Sequence, residues 1–214
     1  LSGSKIIIGK SCFFNCSLIP SINIENSDRV IFENNAFEGC NNLDSVKINA
    51  NIEFQAGINC FHKLEKLGIF NINGQKIIIS SNCFAECSSL KSFCILNAIE
   101  VIFSNNAFES CENLERVDIS AVDAFKANNM CFSKSSKLEN VQINSKQIGF
   151  GSFCFEKCSS NLMINCISAS KINLYETCFN DKNPEKHLKY PSNTQIKIIK
   201  AKQENNNDDQ CLIF

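Results

Sequence analysis

The sequence predicts a solenoid of stacked parallel β-coils, mostly β-strand, with about eight repeats of roughly 23–24 residues each. Two observations carry this prediction. The stretch NNAFEGCNNLDSVKI at 34–48 returns at 105–119, three repeats further along, with ten of its fifteen positions identical. A Phe also recurs at a nearly constant interval, at Phe13, Phe37, Phe61, Phe84, Phe108, Phe132, Phe155 and Phe179. Repetition at a fixed period of about 20–50 residues is the mark of repeat architectures.

Each repeat contains two pairs of apolar residues with one residue between them. One pair follows the Phe, as in Val46 and Ile48, and another precedes it, as in Val30 and Phe32. Residues two apart lie on one face of a β-strand. Each unit is therefore predicted to be a strand, a turn, a second short strand, and a tight turn or short helix that carries the Phe. Because one such coil cannot bury its own apolar face, stacked coils share a continuous core.

A more specific pattern follows the recurring Phe. Leu-x-x-Val-x-Ile occurs at 43–48, 114–119 and 138–143, and Ala or Cys followed by Phe-x-x-Cys precedes it in several repeats. The chain resembles the leucine-rich-repeat family, in its BspA-like, Treponema pallidum-type class, over about residues 6–182. The resemblance implies a leucine-rich-repeat solenoid with a role in surface adhesion and protein binding, and it implies no catalysis.

The two ends of the chain depart from the repeat. We expect residues 1–182 to form the solenoid and 183–202 a degenerate last repeat or cap, with a closing strand within 193–202. Residues 203–214 begin with a polar run of Gln, Glu, Asn and Asp and are predicted to be a disordered tail. At the other end, the first residues already occupy repeat positions, so we expect the chain to be a piece of a longer polypeptide.

The last four residues, Cys211-Leu212-Ile213-Phe214, match the Cys-aliphatic-aliphatic-X box of prenylated proteins. Phe at the final position favours geranylgeranyl, and a polar tail would give a prenyltransferase access to Cys211. This predicts a protein made in the cytosol and anchored by its lipid to the plasma membrane. If the box is an accidental apolar tail, the protein is cytoplasmic.

Composition and spacing argue against several other functions. The net charge of −1 gives no support to a nucleic-acid partner, and no apolar run is long enough for a transmembrane helix. Gly3 and Gly9 imitate a phosphate-binding loop, but the number of residues between them is five instead of four. The two histidines, His62 and His187, lie far apart in repeat count and are predicted to be surface residues. We therefore expect no catalytic residue, cofactor or small-molecule substrate.

The fourteen cysteines occur mostly at two repeat positions, directly before the Phe and three residues after it. The resulting Cys-x-x-x-Cys is not the spacing of a zinc knuckle, and Ala36 or Leu64 replaces a Cys in some repeats. Neither residue can replace a metal ligand, so we predict buried free thiols and no metal. A prenylated protein of the reducing cytosol would not keep disulfides. We expect Cys211 and Cys94 to be the fast-reacting thiols.

The outward-facing residues of the predicted strands are the candidates for ligand binding. The residue between the apolar pair of the first strand is mostly polar, in the order Asn23, Lys47, Asn71, Cys94, Asp118, Gln142, Asn165 and Lys189. We predict a protein ligand on this ladder near Lys47, Asn71, Arg116, Asp118 and Gln142. The alternative is a merely solvated face. The second strand carries an outward row of Ile7, Ile31, Ile78 and Ile102, which is either a docking patch or a set of tolerated β-branched residues.

These inferences combine into one functional hypothesis. The sequence predicts a non-enzymatic protein-binding or adhesion module, tethered to a membrane through a prenyl group on Cys211. The first alternative is an untethered intracellular scaffold with the same binding surface. The second alternative is an enzyme built from repeats, which the missing catalytic constellation disfavours.

Overall fold

The computed structural model describes residues 3–179 and 183–200, which form a β-solenoid with almost no helix. Four long strands run through both strand positions of a coil: β2 (Ser21–Phe32), β3 (Ser45–Ala56), β6 (Ser92–Phe103) and β7 (Arg116–Ala127). In other coils the two positions are separate strands: β4 (Ile69–Asn73), β5 (Lys76–Ile79), β8 (Asn140–Asn144), β9 (Gln147–Phe150), β10 (Met163–Cys166) and β11 (Lys171–Tyr175). The ends are β1 (Gly3–Ile8), a 3-10 helix (Pro184–His187), β12 (Leu188–Lys189) and β13 (Gln195–Ile199). The predicted solenoid is confirmed.

Strands of neighbouring coils pair in parallel, and repeat positions face one another. Val46 is in register with Phe70 in the first strand position, and Phe54 with Ile77 in the second. The side chains of these residues are buried, as the alternating pattern predicts. Outward-facing side chains of the first position form the front face of the solenoid, and those of the second position form its side face.

The recurring Phe lies in a turn, where its ring stacks on the rings of the neighbouring coils. The Phe37 and Phe61 rings are 5.5 Å apart and inclined by 2°. The backbone ladder continues through these turns, since the Phe37 N–H donates to the Cys60 carbonyl at 3.0 Å. The small residue before the ring is buried from Ala36 to Cys178, whereas Cys12 in the first coil is exposed. Stacked rings and paired turns therefore form one wall of the core.

The turn around each Phe has a fixed backbone shape. The residues two before and two after the Phe have positive φ in seven successive coils, for example Asn35 (61°) and Gly39 (75°). Asn and Gly are the residues that adopt this left-handed conformation at least cost. Two such residues interrupt helical geometry. The segment is therefore a turn and not a short helix, which was the other structure that the sequence allowed.

A column of small buried residues lines the bend between the two strand positions. Its members are Ser27, Ala50, Gly74, Ala98, Ala121, Ser145 and Ala169. A Cβ on Gly74 would lie 3.3 Å from the Ala50 carbonyl, so the coils approach closely here. In β2 and β6 the bend also contains an Asn with positive φ, Asn26 or Asn97, where the register shifts. Small side chains thus allow the chain to turn without opening the core.

The long offset of the sequence, from Asn34 to Asn105, is also a period of the structure. Strands β2 to β5 recur as β6 to β9, and every boundary is displaced by this same offset, as Ser21 is to Ser92. Side-chain contacts recur as well. Lys66 Nζ donates to Asn42 Oδ1 at 2.6 Å, and Lys137 Nζ donates to Asn113 Oδ1 at 2.6 Å. We name residues 21–91 block one and residues 92–162 block two. A third block begins with β10 and departs from the pattern after Phe179.

The C-terminal end closes the ring stack with a different residue. The His187 imidazole stacks on the Phe179 ring at 4.4 Å and 17°, in the place of a next Phe. Leu188 in β12 is buried, and β13 pairs with β11. The closing strand predicted within 193–202 is therefore confirmed at Gln195–Ile199. The domain limits stay a prediction, and the tail with Cys211 lies outside the described residues.

Candidate functional site

The predicted polar ladder forms one continuous column on the front face, here named the front column. Lys47 is in register with Asn71, and Asp118 with Gln142. The column comprises Asn23, Lys47, Asn71, Cys94, Asp118, Gln142, Asn165 and Lys189. Six of the eight are exposed, whereas Cys94 and Asp118 are partly buried. The sequence therefore placed these residues on one surface correctly; whether the surface binds a ligand stays a prediction.

Arg116 and Asp118 form an ion pair within strand β7. Arg116 Nε donates to Asp118 Oδ2 at 2.5 Å, and this hydrogen bond raises the pKa of Arg116. The other carboxylate oxygen, Asp118 Oδ1, is shielded from solvent and has no hydrogen-bond partner among the described residues. The two charges thus partly neutralise each other, and a ligand would meet them as one unit.

Cys94 lies beside this pair, and its surroundings bear on its predicted reactivity. Burial raises the pKa of the Cys94 thiol, and the Asp118 carboxylate raises it further. The thiolate is the reactive form of cysteine, so a raised pKa slows alkylation. The raised pKa argues against fast alkylation of Cys94; the predicted ladder placed Asp118 next to Cys94 but did not show how far the thiol is buried.

The five candidate residues fall into two groups. Lys47 and Asn71 line a shallow pocket of about 280 Å³ in block one, shared with Asn23, Glu25, Asn26, Asn49 and Asn73. Arg116, Asp118 and Gln142 lie in block two, on adjacent strands. Asp118 is three coils from Lys47, roughly 14 Å along the axis at the usual spacing between strands. The front face therefore offers an amide-rich part with Lys47 and Glu25 and a separate part around an ion pair.

The outward Ile row of the side face is less open than its sequence suggests. Ile7 is 51% exposed, but Ile31, Ile78 and Ile102 are only partly exposed. Ion pairs run beside the row, such as Lys76 Nζ with Glu100 Oε2 at 3.2 Å. These contacts favour tolerated β-branched residues over a docking patch.

Both histidines have structural contacts that the sequence did not indicate. His62 Nδ1 lies 3.2 Å from Glu38 Oε1, and Nε2 lies 3.5 Å from Glu86 Oε1, so the ring bridges three coils. His187 stacks on Phe179, and its Nδ1 lies 3.2 Å from the Leu162 carbonyl. Both histidines are partly exposed, as predicted for surface residues, and each one also links successive coils.

The cysteines three residues after the Phe make hydrogen bonds that sequence reasoning missed. Cys111 Sγ donates to the Phe84 carbonyl of the preceding coil at 3.0 Å, and Cys40 donates to Phe13 in the same way. Ser135, at the same repeat position, donates its Oγ to the Phe108 carbonyl at 2.9 Å. Ser135 was the available signal for these bonds in the sequence, because Cys and Ser share a hydrogen-bond donor and do not share an apolar group. The thirteen described cysteines are free, and most are buried.

Within 3–179 and 183–200, no group of three or more His, Cys, Asp or Glu is placed to hold a metal ion. Over the same residues, no helix has the length and apolar character needed to span a membrane.

Comparisons with known proteins agree with this architecture. The chain matches the family model described as "BspA type Leucine rich repeat region (6 copies)" over residues 6–128 and 104–203. It is similar to the leucine-rich-repeat protein TpLRR of T. pallidum, with 21% identity, 73% of this chain and 71% of that chain covered, and a TM-score of 0.52. This likeness supports the fold.

Two other solved structures share less of the geometry. A leucine-rich cell surface protein from Faecalibacterium prausnitzii is 14% identical over 92% of this chain and 88% of that chain, with a TM-score of 0.29. A leucine-rich-repeat protein from Bacteroides ovatus is 14% identical over 91% and 87%, with a TM-score of 0.24. No curated protein sequence matches the chain.

Proposed function

Because the chain belongs to the BspA-type leucine-rich-repeat family, we propose that it binds another protein through its front face. Repeat proteins of this kind typically act as interaction modules rather than enzymes, so we propose no catalytic role. The observation that carries the proposal is the difference between the outward and inward residues of the two blocks. Inward and outward residues alternate along the same strands, so this difference separates the side chains that the fold requires from those that it leaves free to vary.

The inward residues of β3 and β7 are the same, with Val46 matched by Val117 and Ile48 by Ile119. On the front face, Lys47 of block one is matched by Asp118 in block two, a reversal of charge. A face that is only solvated needs no particular arrangement of charge. A protein ligand with complementary charges would be oriented by such an arrangement, because electrostatic complementarity fixes register and excludes other partners.

A charge exchange tests this proposal with little risk to the fold. Arg116→Asp combined with Asp118→Arg keeps an internal ion pair but reverses the order of charges along the strand. The matched control exchanges Glu156 and Lys157, an ion pair of 3.9 Å on the turns. The control is tolerable, since Glu86 already occupies the position of Lys157 in block one and has a similar positive φ.

We expect the front-face exchange to abolish pull-down of the native partner, and the control exchange to leave it unchanged. Urea unfolding of both variants would show that the fold is retained. Equal binding by the two variants would place the ligand site elsewhere, on the side face or the turns.

We further propose that a prenyl group on Cys211 tethers the module to a membrane, at the plasma membrane after cytosolic synthesis. The support is the sequence of 211–214 and the polar run before it; the proposal requires Phe214 to be the last residue of the native polypeptide. Labelled isoprenoid incorporation and fractionation of wild type beside Cys211→Ser test it. We expect labelled wild type divided between membrane and cytosol, and an unlabelled, soluble variant. If the two behave alike, an untethered intracellular scaffold is the better proposal.

A further inference from the structure

The C-terminal end of the solenoid carries an excess of positive charge. Residues 183–200 contain four lysines and one acid, Glu185, although the whole chain has a net charge of −1. The lysines are Lys186, Lys189, Lys197 and Lys200, and all four are exposed. The basic end is thus a local feature of a slightly acidic protein.

The lysines surround the last coil and do not share one side of it. Lys189 in β12 is in register with Asn165 on the front face, and Lys197 in β13 is in register with Asn173 on the side face. Lys186 is in the 3-10 helix, next to the His187 ring that covers Phe179. A flat partner can therefore meet all of them only by facing the end of the solenoid.

Partly exposed apolar side chains accompany these lysines. Ile198 is 42% exposed and Tyr190 is 36% exposed. Lysines beside Tyr and an aliphatic residue are typical of surfaces that contact lipid headgroups. Two acids belong to the same end: Glu185, whose carboxylate accepts a hydrogen bond from Tyr190 at 3.4 Å, and Glu176, whose backbone pairs with Ile199. The described residues of this end therefore keep a net positive charge, and residues 201–214 add one lysine, Lys202, and three acids, Glu204, Asp208 and Asp209.

We propose that this end of the solenoid docks on an anionic lipid surface, with the solenoid axis perpendicular to the membrane plane. Residues 201–214 follow directly from the same end, so a lipid on Cys211 would act on the same membrane. In this respect the inference rests on the proposed tether. A single lipid chain gives marginal binding, and a basic patch is a common second signal. The front face would then point sideways and stay open to its ligand.

Lysines on edge strands also protect a sheet from pairing with other chains. This explanation and docking differ in a measurable way, since edge protection needs no affinity for lipid. The 214-residue protein with Cys211→Ser, which cannot carry the prenyl group, is mixed with phosphatidylcholine vesicles and with vesicles containing phosphatidylserine. Co-sedimentation is measured at low and at physiological salt.

We expect binding to the phosphatidylserine vesicles only, weakened by salt. Each lysine near an anionic surface contributes roughly a fivefold gain in partitioning, so Lys189→Glu with Lys197→Glu should weaken binding at least 25-fold. Lys5→Glu with Lys91→Glu is the matched control, because it changes net charge equally at exposed lysines outside the last coil. The control should bind within about twofold of the parent.

Absence of binding to phosphatidylserine vesicles, or equal losses in the two double variants, would overturn the proposal. Tighter binding to a duplex oligonucleotide at the same ionic strength would also overturn it, in favour of a nucleic-acid partner. Because the vesicle assay uses protein without a prenyl group, its failure leaves the isoprenoid labelling of Cys211 unaffected. Failure of the labelling, conversely, leaves the vesicle result intact.

Discussion

Phe108 in block two and Phe179 in the last coil occupy the same repeat position, three coils apart, but their surroundings differ. Phe108 contacts the rings of Phe84, Phe93, Phe103 and Phe132. Phe179 contacts the Phe155 ring on one side and the His187 imidazole on the other. Both are buried, Phe108 completely and Phe179 with 5% exposure. The comparison teaches that the stability a ring contributes to this solenoid depends on its position in the stack as much as on its own burial.

The largest effect should come from removing the central ring. Phe108→Ala should lower the free energy of unfolding by about 3–5 kcal/mol, since it leaves a cavity among four rings. Phe179→Ala should cost less, about 2–3 kcal/mol, because the end of the stack can relax. Urea denaturation measures both. Equal losses would show that the last coil is as well packed as the centre.

Alkaline pH should reveal the same difference between interior and end through the thiols. Burial raises the pKa of Cys87 to about 12, against about 8.5 for an unfolded thiol. Because the pKa of Cys87 is raised in the folded state, the stabilisation from its protonated thiol is complete below about pH 8.5. It is lost as the pH rises to about 12. Within that window the free energy of unfolding should fall by roughly 1.4 kcal/mol per pH unit for each such thiol.

Cys87→Ala should remove this part of the pH slope, whereas Cys12→Ala should not, because Cys12 is exposed in the first coil. Unfolding measured over the range from about pH 8 to about pH 11 under reducing conditions tests the pair. If the two variants have the same slope, buried thiols do not cause the alkaline loss.

The repeat, the strand positions and the inward residues could be predicted because each depends on spacing alone. Val46 and Phe37 recur at fixed intervals, and stacking buries whatever recurs at those positions. The contacts of His62 and the burial of Cys94 could not be predicted, since they depend on single residues of adjacent coils. Within the candidate site, the sequence placed Lys47 and Asp118 on one face. It did not show that the Asp118 carboxylate is paired within its own strand.

The capping histidine gives a smaller effect at the end of the stack. His187→Ala should lower stability by about 1 kcal/mol, because it removes a stacked ring from Phe179. His187→Phe should recover much of that loss, since it continues the Phe series. Thermal unfolding of the two variants provides the measurement. If His187→Phe is as unstable as His187→Ala, the contact of Nδ1 with the Leu162 carbonyl matters more than stacking.

The thiol donors to the Phe carbonyls should have effects of similar or smaller size. Cys111→Ala removes the hydrogen bond to the Phe84 carbonyl and should cost about 1 kcal/mol. Cys111→Ser should be milder, because Ser135 makes the equivalent bond to Phe108. Chemical denaturation distinguishes them. An alanine variant as stable as the serine variant would mean that the Cys acts only as a small apolar group.

The smallest perturbation is alkylation of the native protein, which leaves the fold intact. Among the described cysteines, Cys12 should react first because it is exposed, and Cys94 should be slow because its pKa is raised. Cys111 should react only on unfolding, since burial raises its pKa well above the ordinary value. Mass spectrometry over a time course gives the order. Early labelling of Cys94 would contradict its raised pKa.

The three-coil period of the two blocks has a consequence for reach. Since strand boundaries and turn shapes match at this offset, a whole block could be inserted or removed between β5 and β6 with every coil meeting an equivalent neighbour. Each block spans three coils, roughly 14 Å along the axis. The length of the solenoid would then change in steps of one block. The number of blocks could change while the His187 cap and the basic end keep their form. The number of blocks would then set the distance between a partner bound to the front face and the surface that the C-terminal end contacts.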